Sequence, residues 1–458
     1  MRESIVDLVI VGAGPAGMAA ACQARELGLV VTLLDEQPAV GGQIYRQIET
    51  ASRERMGVLG EDYTAGAALA SAFRSSGATH LGGASVWNVE ADGSVHYLRA
   101  GFSGVIVGRR VLLASGAMER PFPIPGWTLP GVMGAGAAQI LLKSAGAMPT
   151  PSVVLAGCGP LLYLLAWQYL RAGLMLQAVV DTTRKIDYLR ASRHLIGALH
   201  GWHDLRKGLR LIGALRKHGV AMYRGATNLM VEGRDHAEGL RFTQGEKTKR
   251  LASPLILLHQ GVVPNTQLSW AIRAEHRWNP EQLCWQPVTD TWGRLGNRIF
   301  YVAGDSAGIV GAQASVTQGS LAALSIASDL GSLDGDALEH RAAPLRARLV
   351  SQLRIRPFLD ALYRPPVAQR VPQDDRVTVC RCEEVDAGQI RRYVELGCLG
   401  PNQTKAFGRC GMGPCQGRLC GLTVTEVIAQ ARGVDPSEVG YYRIRPPIKP
   451  ITLGELSQ

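Results

Sequence analysis

The sequence predicts an α/β protein with two related parallel-sheet domains and a small cysteine-rich segment towards its C-terminal end. Residues 9–36 and 153–182 repeat one pattern of strand, Gly-x-Gly turn, helix and strand, and residues 376–435 hold six of the nine cysteines. Parallel strands joined by a crossover helix form a right-handed unit. Each repeat therefore predicts its own parallel sheet.

The composition sets limits on the class of protein. The 458 residues are 46% hydrophobic and 19% charged, with 54 glycines. Such a chain is neither disordered, collagen-like nor disulfide-rich, and its length predicts about three domains. No apolar run approaches the ~20 residues of a membrane-spanning helix, and a strand pattern from Ile5 leaves no room for a signal peptide. We expect a cytoplasmic protein without disulfides.

The net charge of +11 is partly concentrated in two segments. Residues 184–217 hold nine Arg or Lys against two Asp, and residues 341–370 hold seven Arg against one Asp. Each segment holds only two aromatic residues, so we do not expect nucleic-acid binding. A solvated face is the simplest interpretation. A protein partner or an acidic membrane surface, which would make the protein peripheral to an inner membrane, is the alternative.

The first glycine turn predicts a dinucleotide site. It follows the apolar run of residues 8–11 and opens a helix, whose N-terminus favours phosphates. Its glycines permit a tight turn, close approach of a pyrophosphate and close helix packing. Asp35 ends the second strand, 23 residues after Gly12, where a carboxylate binds ribose hydroxyls. The predicted site residues are Gly12, Gly14, Pro15, Ala16, Gly17, Asp35 and Glu36.

Three later motifs assign this first site to FAD. A second glycine turn follows the ribose acid, a small-residue turn ends a later strand, and a Gly-Asp pair precedes a helix. Residues 5–330 with these motifs resemble the two-dinucleotide-domain flavoproteins of the disulfide-reductase-like superfamily. The resemblance implies two Rossmann-like dinucleotide-binding domains with FAD in the first. The further cofactor-binding residues are Gly42, Gln43, Ala114, Ser115, Gly116, Gly304 and Asp305.

The second glycine turn departs from the pattern. Gly157 and Gly159 are retained, but Leu162 replaces the third glycine. Asp181 stands where a ribose acid is expected, which favours NAD or another adenine nucleotide. A duplicated domain that keeps its shape around an empty or structural pocket is the equal alternative.

The cysteine-rich segment has metal-ligand spacing. The stretches VCRCEEV (379–385) and RCGMGPCQGRLCG (409–421) give C-x-C, 27 residues and C-x₄-C. Four thiolates can hold a zinc ion or an iron–sulfur cluster. The single residue between Cys380 and Cys382 is a shorter spacing than the two to four residues usual between paired zinc ligands. Pro414 predicts a helix start that places Cys415 at a helix N-terminus.

The other cysteines are predicted to have structural roles. Cys420 lies on one predicted helical face with Val424 and Val427, which predicts core packing. We expect Cys22, Cys158 and Cys284 to be buried apolar side chains, and Cys398 has no partner at short range.

The segment resembles the bacterioferredoxin-associated-ferredoxin-like (BFD-like) domain. That resemblance implies a 2Fe-2S cluster on Cys380, Cys382, Cys410 and Cys415, although that family usually spaces its second pair as C-x₂-C.

The whole chain resembles the A or α subunits of heteromeric bacterial amine dehydrogenases, namely octopine and nopaline oxidases, D-hydroxyproline dehydrogenases and hydrogen cyanide synthase. The motifs are LLDEQPAVGGQIYR, ERPFPIPGWTLPGV and the two cysteine stretches. The resemblance implies a second flavoprotein subunit of the D-amino-acid or glycine-oxidase type, which would provide most of the amine-binding site. It also implies a possible small third subunit. This chain would pass the electrons to a respiratory acceptor.

The residues themselves indicate no catalytic constellation, so the catalytic residues are not assigned. A self-contained NADH-dependent flavoprotein reductase is the alternative function. The predicted division is 1–148 and 267–335 for the FAD-binding domain, 149–266 for the second dinucleotide domain, 336–375 for an arginine-rich helical linker, 376–435 for the BFD-like domain and 436–458 for an extended tail.

Overall fold

The computed structural model describes residues 4–149 and 152–457, which form two compact units. Unit 1 comprises residues 4–118, 263–353 and 443–457, and unit 2 comprises residues 119–149, 152–262 and 354–442. The predicted 336–375 segment therefore divides after residue 353, and the tail from residue 443 belongs to unit 1.

The strands, in chain order, are β1 Ser4–Val11, β2 Val31–Asp35, β3 Thr79–Gly82, β4 Ser85–Val89, β5 Ser94–Arg99, β6 Phe102–Leu113, β7 Ala117–Glu119, β8 Val132–Gly134, β9 Val153–Cys158, β10 Ala178–Asp181, β11 Ala221–Arg224, β12 Thr227–Glu232, β13 Gly239–Gln244, β14 Lys247–Ala252, β15 Leu255–Gln260, β16 Val262–Pro264, β17 His276–Asn279, β18 Cys284–Pro287, β19 Phe300–Val302, β20 Thr378–Cys380 and β21 Val385–Asp386.

The helices are α1 Pro15–Glu26, α2 Arg53–Leu59, α3 Glu61–Thr64, α4 Gly66–Ser75, α5 Ala135–Ala145, α6 Pro160–Arg171, α7 Lys185–Ser192, α8 Leu195–His200, α9 Trp202–Lys217, α10 Gln267–Ala271, α11 Ala312–Asp329, α12 Gly335–Leu353, α13 Arg356–Leu362, α14 Val367–Arg370, α15 Ala387–Glu395, α16 Pro401–Gly408, α17 Gly421–Arg432, α18 Pro436–Val439 and α19 Leu453–Leu456, with a 3-10 turn at Gly304–Ser306.

The main sheet of unit 1 has the order β3-β2-β1-β6-β5-β4, with β19 also pairing to β6. Val11 of β1 is in register with Leu34 of β2 and Leu113 of β6, and Leu113 is in register with Val302 of β19. The carboxyl ends of these parallel strands therefore meet at one edge. In doubly wound sheets that edge is where ligands bind.

The helices of unit 1 pack closely because small residues line their contacts. A Cβ at Gly319 of α11 would lie 2.1 Å from the carbonyl oxygen of Ala16 in α1. The strand β1 is fully buried from Leu8 to Ile10, as expected for a parallel strand covered on both faces. Helix α1 ends at Glu26, and Gly28, with a φ of +82°, follows it in the left-handed conformation that glycine permits.

Unit 2 contains a parallel sheet of order β11-β10-β9-β15-β8 and an antiparallel sheet of order β12-β13-β14. Gly157 on β9 is in register with Asp181 on β10 and with His259 on β15. The second glycine turn thus occupies the same relative position in its sheet as the first. The predicted fold class, α/β with two dinucleotide-type sheets, is confirmed.

The cysteine-rich segment forms a small helical module within unit 2. The pair β20 and β21 leads into α15, and the Asp386 carboxylate caps that helix by accepting from the Gln389 amide at 2.6 Å. This cap fixes the start of α15 at Ala387. The Trp127 indole donates to the Thr378 carbonyl at 2.8 Å, which ties the module to the rest of unit 2.

Candidate functional site

The first glycine turn lies at the carboxyl edge of the unit 1 sheet. Gly12 has a φ of +111°, and a Cβ there would lie 2.3 Å from the Ala114 carbonyl oxygen. A Cβ at Gly17 would lie 1.9 Å from the Gly12 carbonyl oxygen. Both positions therefore require glycine. Among the described residues no side chain caps α1 at Gly14, so its first amides remain available to a phosphate.

The second glycine turn of unit 1 lies directly against the first. Gly42 has a φ of +59°, and a Cβ there would lie 2.9 Å from the Cα of Gly14. The Gln43 side chain accepts from the Arg46 guanidinium at 2.8 Å. The two turns together form a backbone-lined wall that a pyrophosphate can approach closely.

Asp35 is fixed beside this wall by two backbone hydrogen bonds. Its carboxylate accepts from the Ala13 amide and from the Gln37 amide, each at 2.7 Å. A carboxylate offers about four acceptor sites, so acceptor capacity remains for ribose hydroxyls. The neighbouring Glu36 forms an ion pair with Lys449 from the C-terminal tail.

The turn after β6 is held by a side-chain hydrogen bond. The Ser115 hydroxyl donates to the Asn265 carbonyl at 2.8 Å, and Gly116 has a φ of +68°. Because a Cβ at Gly12 would meet Ala114, this small-residue turn is the immediate neighbour of the first glycine turn.

The Gly-Asp pair after β19 shapes the loop that leads to α11. The Asp305 carboxylate accepts from the amides of Val310 and Gly311 at 2.8 and 2.9 Å. A Cβ at Gly304 would lie 2.9 Å from the Cβ of Ala16. Unit 1 therefore brings the other three predicted FAD-site segments into contact with the first glycine turn, around the start of α1. The role predicted for Asp305 towards the ribityl chain stays a prediction.

The second glycine turn, in unit 2, keeps the backbone shape of the first. Gly157 has a φ of +133°, and a Cβ there would lie 1.6 Å from the His259 carbonyl oxygen. Leu162, which replaces the third glycine, is fully buried. The His259 ring is buried beside the turn and contacts the Glu119 carboxylate at 2.7 Å. Sequence spacing did not predict this contact between His259 and the half-buried Glu119.

Asp181 differs from Asp35 in its surroundings. It is only 1% exposed, and its carboxylate accepts from the Tyr163 hydroxyl and from the Thr183 amide at 2.8 Å. Burial raises its pKa. The Tyr163 side chain of α6 thus already donates a hydrogen bond to the Asp181 carboxylate. This contact argues against the predicted role of Asp181 as a ribose ligand.

A segment of unit 2 also covers the second glycine turn. The Cys158 thiol donates to the Tyr363 carbonyl at 3.5 Å, and burial raises the pKa of Cys158 to about 12. Tyr363 follows α13 and packs with Ala361 and Leu362 against Ala191. These contacts favour the interpretation of a retained fold without a bound dinucleotide.

The thiols of the cysteine module form two adjacent groups. The sulfur atoms of Cys380, Cys410 and Cys420 lie within 4.8 Å of one another and are buried. The Cys382 thiol contacts Cys415 through the side chain and the backbone amide. Hydrogen bonds from the Cys410 and Cys420 thiols hold the pKa of Cys380 at about 2.

One prediction about this module was incomplete and another was wrong. Cys420 is buried, as predicted, but its sulfur also lies within 4.8 Å of the Cys380 and Cys410 sulfurs. The helix predicted to start at Pro414 starts at Gly421 instead, with Cys420 as its N-cap, while Cys415 lies in the preceding turn. Within the described residues, which include all nine cysteines, there is no disulfide. Cys398 is separate from both groups, and its thiol donates to the Gly400 carbonyl at 3.3 Å.

Tyr442 closes one side of the cluster formed by the Cys380, Cys410 and Cys420 sulfurs, and sequence reasoning missed this residue. It is fully buried, and its hydroxyl donates to the Cys410 sulfur at 3.4 Å and lies 3.8 Å from the Cys420 sulfur. A Cβ at Gly411 or Gly417 would lie 2.4 or 2.6 Å from the Tyr442 ring. The glycines of the 409–421 stretch therefore let this ring approach the sulfurs.

The donor set fits an iron–sulfur cluster. In a 2Fe-2S centre each iron takes two protein ligands. The four predicted cysteines divide into a Cys380 and Cys410 pair and a Cys382 and Cys415 pair, with Cys420 as an additional thiol beside the first pair. The assignment of the four ligands stays a prediction.

The basic segment 184–217 forms α7, α8 and α9 on the surface of unit 2. It exposes several large apolar side chains, among them Leu189, Ile196, Trp202 and Leu209. Among the described residues, no helix has the length and the apolar content needed to cross a membrane. Peripheral membrane contact stays a prediction.

Comparisons with known proteins agree with this geometry. The family model for pyridine nucleotide-disulphide oxidoreductase matches residues 6–319, and the model for the sarcosine oxidase A3 domain matches residues 375–458. The opine oxidase A subunit of Rhizobium meliloti is 46% identical over 100% of this chain and 88% of its own length. Hydrogen cyanide synthase subunit HcnB of Pseudomonas protegens is 30% identical over 97% of this chain and 96% of its own length.

A solved structure supports the fold. The L-proline dehydrogenase from P. horikoshii superposes with a TM-score of 0.73 at 20% identity, covering 100% of this chain and 80% of that one.

Proposed function

This chain belongs to the pyridine nucleotide-disulphide oxidoreductase family and, over its full length, to the family of opine oxidase A subunits, and from that premise we propose that it is the flavin and iron–sulfur subunit of a heteromeric amine dehydrogenase. It is an FAD-dependent oxidoreductase. Its substrate would be a secondary amine, such as an opine or D-hydroxyproline, oxidised on a partner flavoprotein. A respiratory acceptor would receive the electrons.

One observation carries the proposal: a complete dinucleotide-binding turn and a buried thiol set occur in one chain. The first turn contacts its predicted neighbours at Ala114 and Gly42, and the thiols of Cys380 and Cys410 lie within 4.8 Å. FAD would supply two-electron chemistry and a 2Fe-2S cluster one-electron transfer. A chain that holds both can connect an amine oxidation to a one-electron acceptor.

The residues of this chain would bind and orient the cofactors, and they would not process the amine. Asp35 and the start of α1 would hold the adenosine and pyrophosphate of FAD. The cysteine pairs would hold the cluster, with Tyr442 donating to Cys410. Amine binding would fall to the partner flavoprotein, in line with the relatives that are named as subunits of larger enzymes.

The alternative, a self-contained NADH-dependent reductase, needs an occupied second nucleotide site. The burial of Asp181 under Tyr163 and the covered turn at Cys158 weigh against it. We therefore propose a structural role for the second domain.

The test uses the chain purified anaerobically, alone and co-expressed with its partner flavoprotein. We expect FAD and two irons per chain. We also expect no flavin bleaching with NADH, and amine-dependent bleaching only when the partner is present. Fast bleaching by NADH alone would establish the reductase instead. A chain that binds zinc, or neither FAD nor iron, would refute the proposal.

A further inference from the structure

The C-terminal tail of unit 1, residues 443–457, reaches the end of β2, where Lys449 pairs with Glu36 next to Asp35. Its Ile444 carbonyl accepts from the Arg273 guanidinium at 2.8 Å, and its Ile448 amide donates to the Trp87 carbonyl at 2.9 Å. Both isoleucines are buried. The tail is therefore anchored before the point where it meets the end of β2.

Lys449 is the tail residue that reaches the ribose acid. Its ammonium pairs with the Glu36 carboxylate, and it interacts electrostatically with Asp35. The Asp35 carbonyl in turn accepts from the Ala84 amide at 2.9 Å. The end of β2, the turn before β4 and the tail thus meet around Asp35 within unit 1.

The charge on Lys449 suits an adenosine ligand. Its side chain is 28% exposed, and burial lowers its pKa. An ammonium has three donors, of which Glu36 uses one. The remaining donors lie near a site where ribose oxygens and adenine nitrogens would accept hydrogen bonds.

We propose that residues 443–457 form one wall of the adenosine end of the FAD site and that Lys449 is a cofactor-binding residue. The inference deepens the proposed function, because it rests on FAD as the ligand of the first glycine turn. The tail would act with Asp35, so the site would be complete only when the last residues of the described chain are docked.

Lysine labelling gives a direct test. Lys449 is the only lysine in the sequence ranges 1–118, 263–353 and 443–458, so mass spectrometry resolves it from the lysines of unit 2. The full chain, without and with saturating FAD, is treated with an amine-reactive ester. We expect FAD to slow labelling of Lys449 at least about tenfold and to leave the exposed Lys247 unchanged.

FMN is the matched control ligand because it lacks the adenylate half. It should leave Lys449 labelling unchanged. Equal labelling of Lys449 with and without bound FAD, or equal protection by FMN, would overturn the inference while leaving the proposed function intact. Wild-type chain that binds no FAD would overturn both.

A variant provides a second measurement. Lys449→Met should weaken FAD binding to the apoprotein about tenfold, the loss expected for one hydrogen bond to a charged group. Lys247→Met, on the exposed strand β14, should bind FAD like the wild type. Iron content and circular dichroism should match in all three proteins. An FAD dissociation constant within about twofold of wild type in Lys449→Met would refute the role of Lys449.

Discussion

The Tyr442 hydroxyl donates a hydrogen bond to the Cys410 sulfur across 3.4 Å, inside a fully buried pocket. Donors to cluster sulfurs stabilise the more negatively charged reduced state and raise the reduction potential. We expect Tyr442→Phe to lower the cluster potential by on the order of 30–60 mV, the equivalent of a weak to average hydrogen bond. A redox titration followed by electron paramagnetic resonance measures this.

Tyr441→Phe is the control for this change, because the Tyr441 hydroxyl lies 3.5 Å from the Gly417 carbonyl rather than on a sulfur. Its potential should stay at the wild-type value. Equal potentials in wild type and Tyr442→Phe would show that the bond does not affect the cluster.

The two thiol groups predict which cysteines carry iron. Single serine substitutions at Cys380, Cys382, Cys410 or Cys415 should remove most of the iron, because each leaves one iron short of a ligand. Cys420→Ser should keep the iron, and the separate Cys398→Ser should match wild type. Iron and sulfide analysis with absorption spectra measures the outcome. Loss of iron in Cys420→Ser, together with retention of iron in Cys415→Ser, would show that Cys420 is the cluster ligand and that Cys415 is not.

Gly42 should be essential for FAD. Alanine there adds a Cβ 2.9 Å from the Gly14 Cα at a φ of +59°, which costs about 1–3 kcal/mol of backbone strain. We expect Gly42→Ala to lose FAD affinity by at least about tenfold. Gly28→Ala is matched in backbone strain, with a φ of +82° and no atom near its Cβ, and should retain FAD. Flavin content per chain distinguishes the two.

Asp181 should matter for stability rather than for nucleotide binding. Asp181→Ala removes the acceptor of the buried Tyr163 hydroxyl and of the Thr183 amide, at a cost of about 2–4 kcal/mol in the free energy of unfolding. Urea unfolding should show this loss, and the exposed Asp235→Ala should not. Calorimetry that detected NAD binding to wild type and not to Asp181→Ala would contradict this expectation.

His276 should make the stability of unit 1 depend on pH. Its ring stacks on Trp270 at 3.7 Å, and burial lowers its pKa to about 4. The unfolded chain then binds more protons between about pH 6.5 and pH 4, so stability falls as the pH falls through this window. The loss should reach up to about 3 kcal/mol at about pH 4.

Denaturant unfolding at about pH 7 and about pH 4.5 tests this dependence. His276→Gln should reduce it, and His340→Gln, at an exposed position on α12, should leave it unchanged. An identical pH dependence in wild type and His276→Gln would assign the effect to other groups.

Local patterns and long-range contacts differ in what the sequence reveals. The turn at Gly12 and the acid at Asp35 follow from one strand, turn and helix, so their spacing alone predicts them. Tyr442 and Lys449 reach their partners from distant parts of the chain, and no local pattern marks them. The contacts of these two residues therefore follow only from the three-dimensional structure.

Two residues show how a correct pattern can mislead. Cys420 is on the buried side of α17, as its helical face indicated, yet that side also contains the thiols of Cys380 and Cys410. Asp181 ends its strand as spacing requires, but the bulky residues of α6 bring Tyr163 onto it. Burial and periodicity identify a position without identifying its neighbours.

The stretch RPPIKP places Lys449 among three prolines. Proline fixes φ near about −65° and leaves the unfolded chain fewer conformations to lose. Docking this stretch at the end of β2 therefore loses little conformational entropy, because the prolines restrict the backbone on both sides of Lys449 before it docks. Glycines in place of those prolines would loosen cofactor retention mainly through entropy, with the lysine and its carboxylate partner both still present.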